Sequence, residues 1–384
     1  MNPIKWMFAL LAMGLLLLAP AAQADWQPVK RLTWTAGDSN APRVALDSSG
    51  RLHLVWEDFT PGNYDVYYKK STDGGDTWTA SKRLTWTAGY SSHPAIAVDS
   101  SDKLHVVYDE TAPGNYEIYY RRSEDGGATW STGKRLTWTT GASWDAAAAV
   151  DSSDNLHVFW ADSNPGNYEL YYKKSTDGGV TWSTNKRLTW TAGDSFEPAI
   201  AIDPSDNLHV AWYDYTAATC EIYYQKSTDG GNTWTANKRL TWTADDSFSP
   251  AIVADTSGDL HVVWEDNAPG NPEIYFKSSA DGGDTWTANK RLTWTAGDSY
   301  LPAIVADASG DLYVVWNDDT PGNYEVYFKT SADGGVTWTT NERLSWTSGG
   351  SESPDICVDP SGNIHVFWSD GTPGNSEIYS KKGN

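Results

Sequence analysis

Apolar and polar residues alternate along this chain in short bursts. In the first set, Pro42 to Asp47 (PRVALD), Leu52 to Trp56 (LHLVW), Asp65 to Lys70 (DVYYKK) and Lys82 to Trp86 (KRLTW) are rich in β-branched and aromatic side chains. Clusters of Asp, Ser, Gly, Pro or Asn separate them, so each burst reads as a short strand closed by a turn. No stretch has helical periodicity. The set of four recurs with a spacing of 52 residues, tracked by the pattern Ser-x-Asp-x-Gly-x-Thr-Trp that begins at Ser71, Ser123, Ser175, Ser227, Ser279 and Ser331. A fixed period of that length with strand-type patterning predicts one structural unit copied many times, as in the blades of a propeller.

The first three strands occur seven times, marked by Asp47, Asp99, Asp151, Asp203, Asp255, Asp307 and Asp359 at the first turn. The fourth also occurs seven times, at Arg31, Arg83, Arg135, Arg187, Arg239, Arg291 and Arg343, but its first copy precedes every other strand. The last repeat stops at Asn384, where its eight-residue motif would begin. These two offsets fit together if strand 30–34 completes the last blade, which leaves no open sheet edge. The expectation is an all-β, seven-bladed propeller of four-stranded antiparallel blades, a single domain over residues 25–384. Of the 22 tryptophans, seven fall in fourth strands (Trp34 through Trp346), six close the motif and six end second strands. All 19 are read as packing between blades; Trp6 and Trp26 lie near the start of the chain, and Trp144 alone breaks the pattern.

Ahead of the repeats, Lys5 is followed by an apolar run from Trp6 to Leu18 and then by Ala22-Gln23-Ala24. This reads as a secretory signal peptide over 1–24 with a small-residue cleavage site, placing the protein in the periplasm or outside the cell. The run is short for a membrane span and no second one follows, so no membrane insertion is expected. A formal charge of −22 opposes nucleic acid and anionic membranes as partners, since both are polyanions held by Lys and Arg. Cys220 and Cys357 occupy unrelated repeat positions and read as unpaired thiols.

The eight-residue motif resembles the Asp-box, or BNR repeat, of the sialidase-like propellers, and the resemblance covers essentially everything after residue 24. It implies that Asp73 and its copies bond local backbone groups while Trp78 and its copies pack inward. It also implies where sialidase chemistry would sit: three arginines gripping a carboxylate, a Tyr–Glu nucleophile and an Asp handling the proton. The arginines do not supply that grip. Seven are the repeated outer-strand copies, Arg51 is in a hairpin turn, Arg121 and Arg122 replace a lysine pair, and only Arg43 stands alone, after Pro42 and not before an Ile-Pro.

The variable positions point to one face. Turns at Asp47 and at the motif share one end of the blades, so loops 35–41 and 57–64 and their copies share the other. At the position of Asn40 the blades carry Asn40, Ser92, Trp144, Phe196, Phe248, Tyr300 and Glu352; the next position reads Ala41, His93, Asp145, Glu197, Ser249, Leu301 and Ser353. Both series are read as lying just before the inner strand, at the mouth of a central channel. Trp144, Phe196, Phe248 and Tyr300 would form an aromatic arc beside Asp145, Glu197, His93 and Arg43, a set suited to stacking on sugar rings and accepting hydroxyl hydrogen bonds. The alternative is drift at exposed loop positions.

A second candidate repeats around the ring: an acid after each second strand (Asp58 and its copies) and another opening each third strand (Asp65 and its copies), bridged by a Pro-Gly-Asn turn whose amides carboxylates can cap. As a site it would be a shallow per-blade pocket for a sugar or a cation. Six histidines, His53 through His365, share one second-strand position and read as distributed core residues. No Cys/His ligand spacing, phosphate loop or catalytic triad stands out, and no cofactor or metal is expected. The reading is a monomeric, exported, non-catalytic binding propeller for an extracellular glycan or another neutral or cationic ligand. A glycoside hydrolase or lyase using acids such as Asp145 and Glu197, and a protein-interaction scaffold, stay open beside it.

Overall fold

The computed structural model describes residues 24–216, 218–372 and 374–384, so the leader expected over 1–24 lies outside the described residues but for Ala24. Seven four-stranded antiparallel sheets are arranged as the blades of a propeller. In the first, the strands are Ser39–Leu46, Leu52–Asp58, Asp65–Ser71 and Lys82–Arg83, in that spatial order. The seventh is Ser351–Val358, Ile364–Asp370 and Glu377–Gly383, with Lys30–Arg31 as its fourth strand. Lys30 lies opposite Ser380 and Arg31 opposite Tyr379, so the ring closes as the repeat offsets predict.

The blades interlock through residues fixed by the repeat. In the motif, Ser71 donates to Asp73 (2.8 Å), the Thr77 amide donates to Asp73 (2.8 Å), and the Trp78 indole N–H reaches the Gly75 carbonyl (3.2 Å). Hydrogen bonds to the ionised form, first from the Thr77 hydroxyl and then from the Thr77 amide and the Ser71 hydroxyl, hold the exposed Asp73 at a pKa of about 2, which is a turn-building role. The motif glycine at this point touches the preceding blade: a Cβ on Gly127 would stand 2.1 Å from the Tyr68 hydroxyl oxygen. Tyr68 in turn bonds His53 (2.8 Å), whose other ring nitrogen meets Asp47 (2.9 Å), so the repeated histidines are buried structural links. Cys220 and Cys357 are buried and free.

The tryptophans divide differently from the sequence expectation. Those ending second strands, such as Trp56 and Trp212, are fully buried, and those closing the motif are partly buried in the cluster between their own blade and the preceding one, as Trp78 is against Phe367. The seven in fourth strands are not packing between blades: Trp34, Trp86, Trp138, Trp190, Trp242, Trp294 and Trp346 are 64% to 70% exposed. The fourth strand is regular for only two residues, after which Thr85 accepts the Val66 amide with its hydroxyl (2.9 Å). That side chain replaces the strand backbone, the main chain leaves the sheet, and Trp86 faces solvent.

Candidate functional site

The two variable series do not precede the inner strand; they lie within it. Each inner strand shifts register between its second and fifth residues, as between Asn40 and Arg43. The second variable residue occupies this bulge with positive φ in all seven blades: Ala41, His93, Asp145, Glu197, Ser249, Leu301 and Ser353 lie between 46° and 64°. None is glycine, so each carries a strained backbone of the kind that collects at functional sites. The bulge turns these side chains toward the axis, where a cavity of about 730 Å³ is walled by His93, Trp144, Asp145, Phe196 and Glu197 among others.

At the level of Arg43 five blades present Ala95, Ala147, Ala199, Ala251 and Ala303, whereas the first and seventh blades, adjacent in the ring, present Arg43 and Asp355. Asp355 accepts the Val44 amide at 2.8 Å, and burial raises its pKa against the pull of the Arg43 charge. The aromatic arc is contiguous over part of its expected length. Trp144 meets His93 (6.2 Å between ring centroids) and Phe196 (5.9 Å, nearly perpendicular); Phe196 meets Tyr213 (5.6 Å), and Tyr213 meets Phe248 (5.3 Å). Tyr300 packs instead on Tyr324 of its own blade (6.0 Å), and neither it nor Phe248 is part of the cavity wall.

A third variable series, passed over in the sequence, supports the bulges. The residue after the second-strand aromatic reads Glu57, Asp109, Ala161, Tyr213, Glu265, Asn317 and Ser369. Its acids accept the bulge amide of the next blade: Glu57 from His93 (3.0 Å), Asp109 from Asp145 (3.2 Å) and Glu265 from Leu301 (3.0 Å). Its variation between otherwise near-identical copies was the available signal.

The electrostatics of the cavity are acidic and strained. Burial lifts Asp109 to about 6 even though His93 hydrogen-bonds it at 2.8 Å. Burial disfavours the His93 cation, but the bond to Asp109 and the charges of Asp109, Asp145 and Glu57 prevail and raise its pKa to about 9. Glu265 is pushed by burial to about 7. Asp145 and Glu197, on adjacent blades, are both raised, first by burial and, for Glu197, next by the Asp145 charge. These carboxyls bind protons more readily in the folded chain than in the unfolded one, so they cost stability as pH rises from about 5 to 8, while the core histidines His53, His105, His157, His209 and His365, lowered from 6.5 by burial, act in the opposite sense at the acid end of that range. His93 acts with the carboxyls, its stabilising charge being lost as pH climbs from 6.5 through about 9. Above pH 8 the buried Lys173, Lys277 and Lys329, each lowered to about 8, act in the opposite sense and close the window. Glu197→Gln is therefore expected to stabilise the protein more at pH 8 than at pH 5, by on the order of 1 kcal/mol or more. Thermal midpoints at the two pH values check this; an equal shift at both contradicts the assignment.

The repeated acid pairs do not form open pockets. Asp58 takes the Ser39 hydroxyl (2.8 Å) and the Thr60 amide (2.9 Å), and Asp65 pairs with Arg83 (2.5 Å) and Thr85 (2.7 Å), with both acids fully buried. Among the described residues no group of three or more His, Cys, Asp or Glu is placed to hold a metal ion, and no helix is long and apolar enough to cross a membrane. Among the described residues Arg43 is the only arginine on the cavity wall, so they do not assemble a three-arginine grip there.

Comparison with known proteins places this geometry. A sialidase of Bacteroides fragilis is 26% identical over 303 residues, 73% of this chain, and the chain spans 49%, about half, of that relative's length. A fucose-specific lectin of Aleuria aurantia is 24% identical over 229 residues, covering 55% of this chain and 66% of the lectin. Among solved structures, a polysaccharide lyase described as an ulvan lyase superposes with a TM-score of 0.65 over 91% of this chain and 95% of its own, at 10% identity, a likeness of fold alone. The family described as the BNR repeat-like domain matches residues 117–366, and the chain belongs to it.

Proposed function

We propose that this protein is an exported, monomeric, non-catalytic binding module that takes a neutral or cationic sugar at the mouth of its central channel. The observation that carries the reading is the cavity of about 730 Å³ in which Trp144 and Phe196 stand beside Glu57, Asp145, Glu197 and Glu352. Ring faces with a few convergent acceptors suit an apolar-faced, hydroxyl-rich ligand. The surplus of carboxylates over Arg43 and His93 disfavours an anionic sugar. The names of the relatives, a fucose-specific lectin and a sialidase, support carbohydrate as the ligand class.

A second reading, a hydrolase or lyase, is favoured by the raised carboxyls of Asp145 and Glu197, one of which would hold a proton near neutral pH beside an ionised partner. One experiment addresses both. An array of neutral and amino-sugar glycans, followed by calorimetry on the best binder, is expected to show binding that Trp144→Ala weakens by at least about tenfold. Binding that survives this change undiminished refutes the mouth as the site. A glycosidase and lyase substrate panel run alongside is expected to show no turnover; turnover lost in Glu197→Gln establishes the second reading instead.

A further inference from the structure

Seven tryptophans on the outer edges of the blades, Trp34 through Trp346, make up seven of the thirteen exposed large hydrophobic side chains among the described residues and play no part in the channel. Each indole lies under an arginine of its own strand, with the guanidinium carbon 5.5 to 5.8 Å from the ring centroid. That arginine is itself fixed: Arg291 donates to Glu273 (2.6 Å) and to the Thr293 carbonyl (2.6 Å). The ring is thus backed by an immobilised flat group while most of its surface stays in water. An exposed cation–π contact contributes little to stability, so seven outward indoles are not explained by the fold.

Beside Trp294 the structure opens a groove of about 460 Å³ between adjacent blades, with Lys290, Val336, Trp338, Thr340 and Asn341 in its walls. Its cations are already engaged: Lys290 donates to the Gly335 carbonyl (2.8 Å), Lys329 to the Leu292 carbonyl, and Arg291 to Glu273. The same contact recurs at ring closure, where Lys30 donates to the Gly75 carbonyl (2.7 Å). What the groove offers a ligand is an indole plane, a hydroxyl, an amide and backbone carbonyls, with no uncommitted charge. That chemistry fits a neutral, polyhydroxylated ring. The arginine-backed indole, though not the Thr340 and Asn341 of this groove, recurs seven times at fixed intervals, and that repetition fits a polymer of such rings, because sites too weak singly gain affinity when one chain engages several.

We propose that the outer-strand tryptophans form a second, multivalent site, separate from the channel, that binds a neutral polysaccharide. The test is native electrophoresis of the protein through gels containing hydroxyethylcellulose, galactomannan, xyloglucan or dextran. At least one polymer is expected to retard the protein, and Trp144→Ala is expected to be retarded equally. The triple variant Trp138→Ala, Trp190→Ala, Trp242→Ala is expected to weaken retardation at least about tenfold, as loss of avidity demands. A measurement on the unaltered protein accompanies it: the retarding polymer is expected to reduce acrylamide quenching of tryptophan emission, since the exposed indoles dominate it. No retardation by any of the four polymers, retardation indifferent to the triple change, retardation lost with Trp144→Ala alone, or quenching unaltered by polymer overturns the proposal.

Discussion

A chain that starts at Thr35, lacking residues 25–34, is expected to lose about 5 kcal/mol or more of stability and to associate with itself. Leu32 is 2% exposed in a cluster with Leu52, Trp56, Phe367 and Ile378, and removing a buried leucine side chain costs about 2–5 kcal/mol. Arg31 is the partner of Glu377 (2.7 Å), whose carboxylate has no exposure; left behind, it is a buried charge worth about 3 kcal/mol or more. The Leu32 amide and the Thr33 hydroxyl close the hydrogen bonds of Ile378, so their loss also frees the edge of Glu377–Gly383 to pair with another molecule. Urea unfolding and gel filtration of the two chains measure both effects. Equal midpoints and a single monomer peak would show that the ring does not depend on this strand.

The architecture was legible because it was written seven times. A copied unit fixes the blade count, and the misplaced first Arg-containing strand fixes the closure before any geometry is known. The site was legible only in outline. Variation at the Asn40 and Ala41 positions marked the right ends of the right strands, yet the bulge that aims them inward left no trace. Its left-handed residues are Ala41, His93, Asp145, Glu197, Ser249, Leu301 and Ser353, none the glycine that announces such a backbone. With the bulge hidden, the supports Glu57, Asp109 and Glu265 had no visible target, and Phe248 and Tyr300 were placed in a wall that they do not line. The outer tryptophans were misread for another reason. An aromatic in a strand is by default a core residue, and nothing in Leu-Thr-Trp says that the threonine hydroxyl takes over the ladder one residue before the indole and sends it out to solvent.

Arg187 and Trp190, three residues apart on one outer strand, are expected to respond oppositely to removal. Arg187→Met keeps the aliphatic stem but strips the cation from Glu169 (2.7 Å), a fully buried carboxylate whose remaining partners are the Thr191 amide (2.9 Å) and the Asn167 amide group (3.2 Å). Breaking a buried pair from one side costs about 3–5 kcal/mol, and adding Glu169→Gln, which removes the orphaned charge, is expected to restore much of it. Trp190→Ala removes an indole that is 70% exposed and a cation–π contact of about 0.5–1 kcal/mol, so its cost is expected to stay near 1 kcal/mol. Chemical denaturation of the three variants separates these values readily. If Trp190→Ala is as damaging as Arg187→Met, the indole is a structural brace and the outer site loses its premise. If it is not, the arginine is what holds the blade together, and the tryptophan stacked on it is available for a ligand.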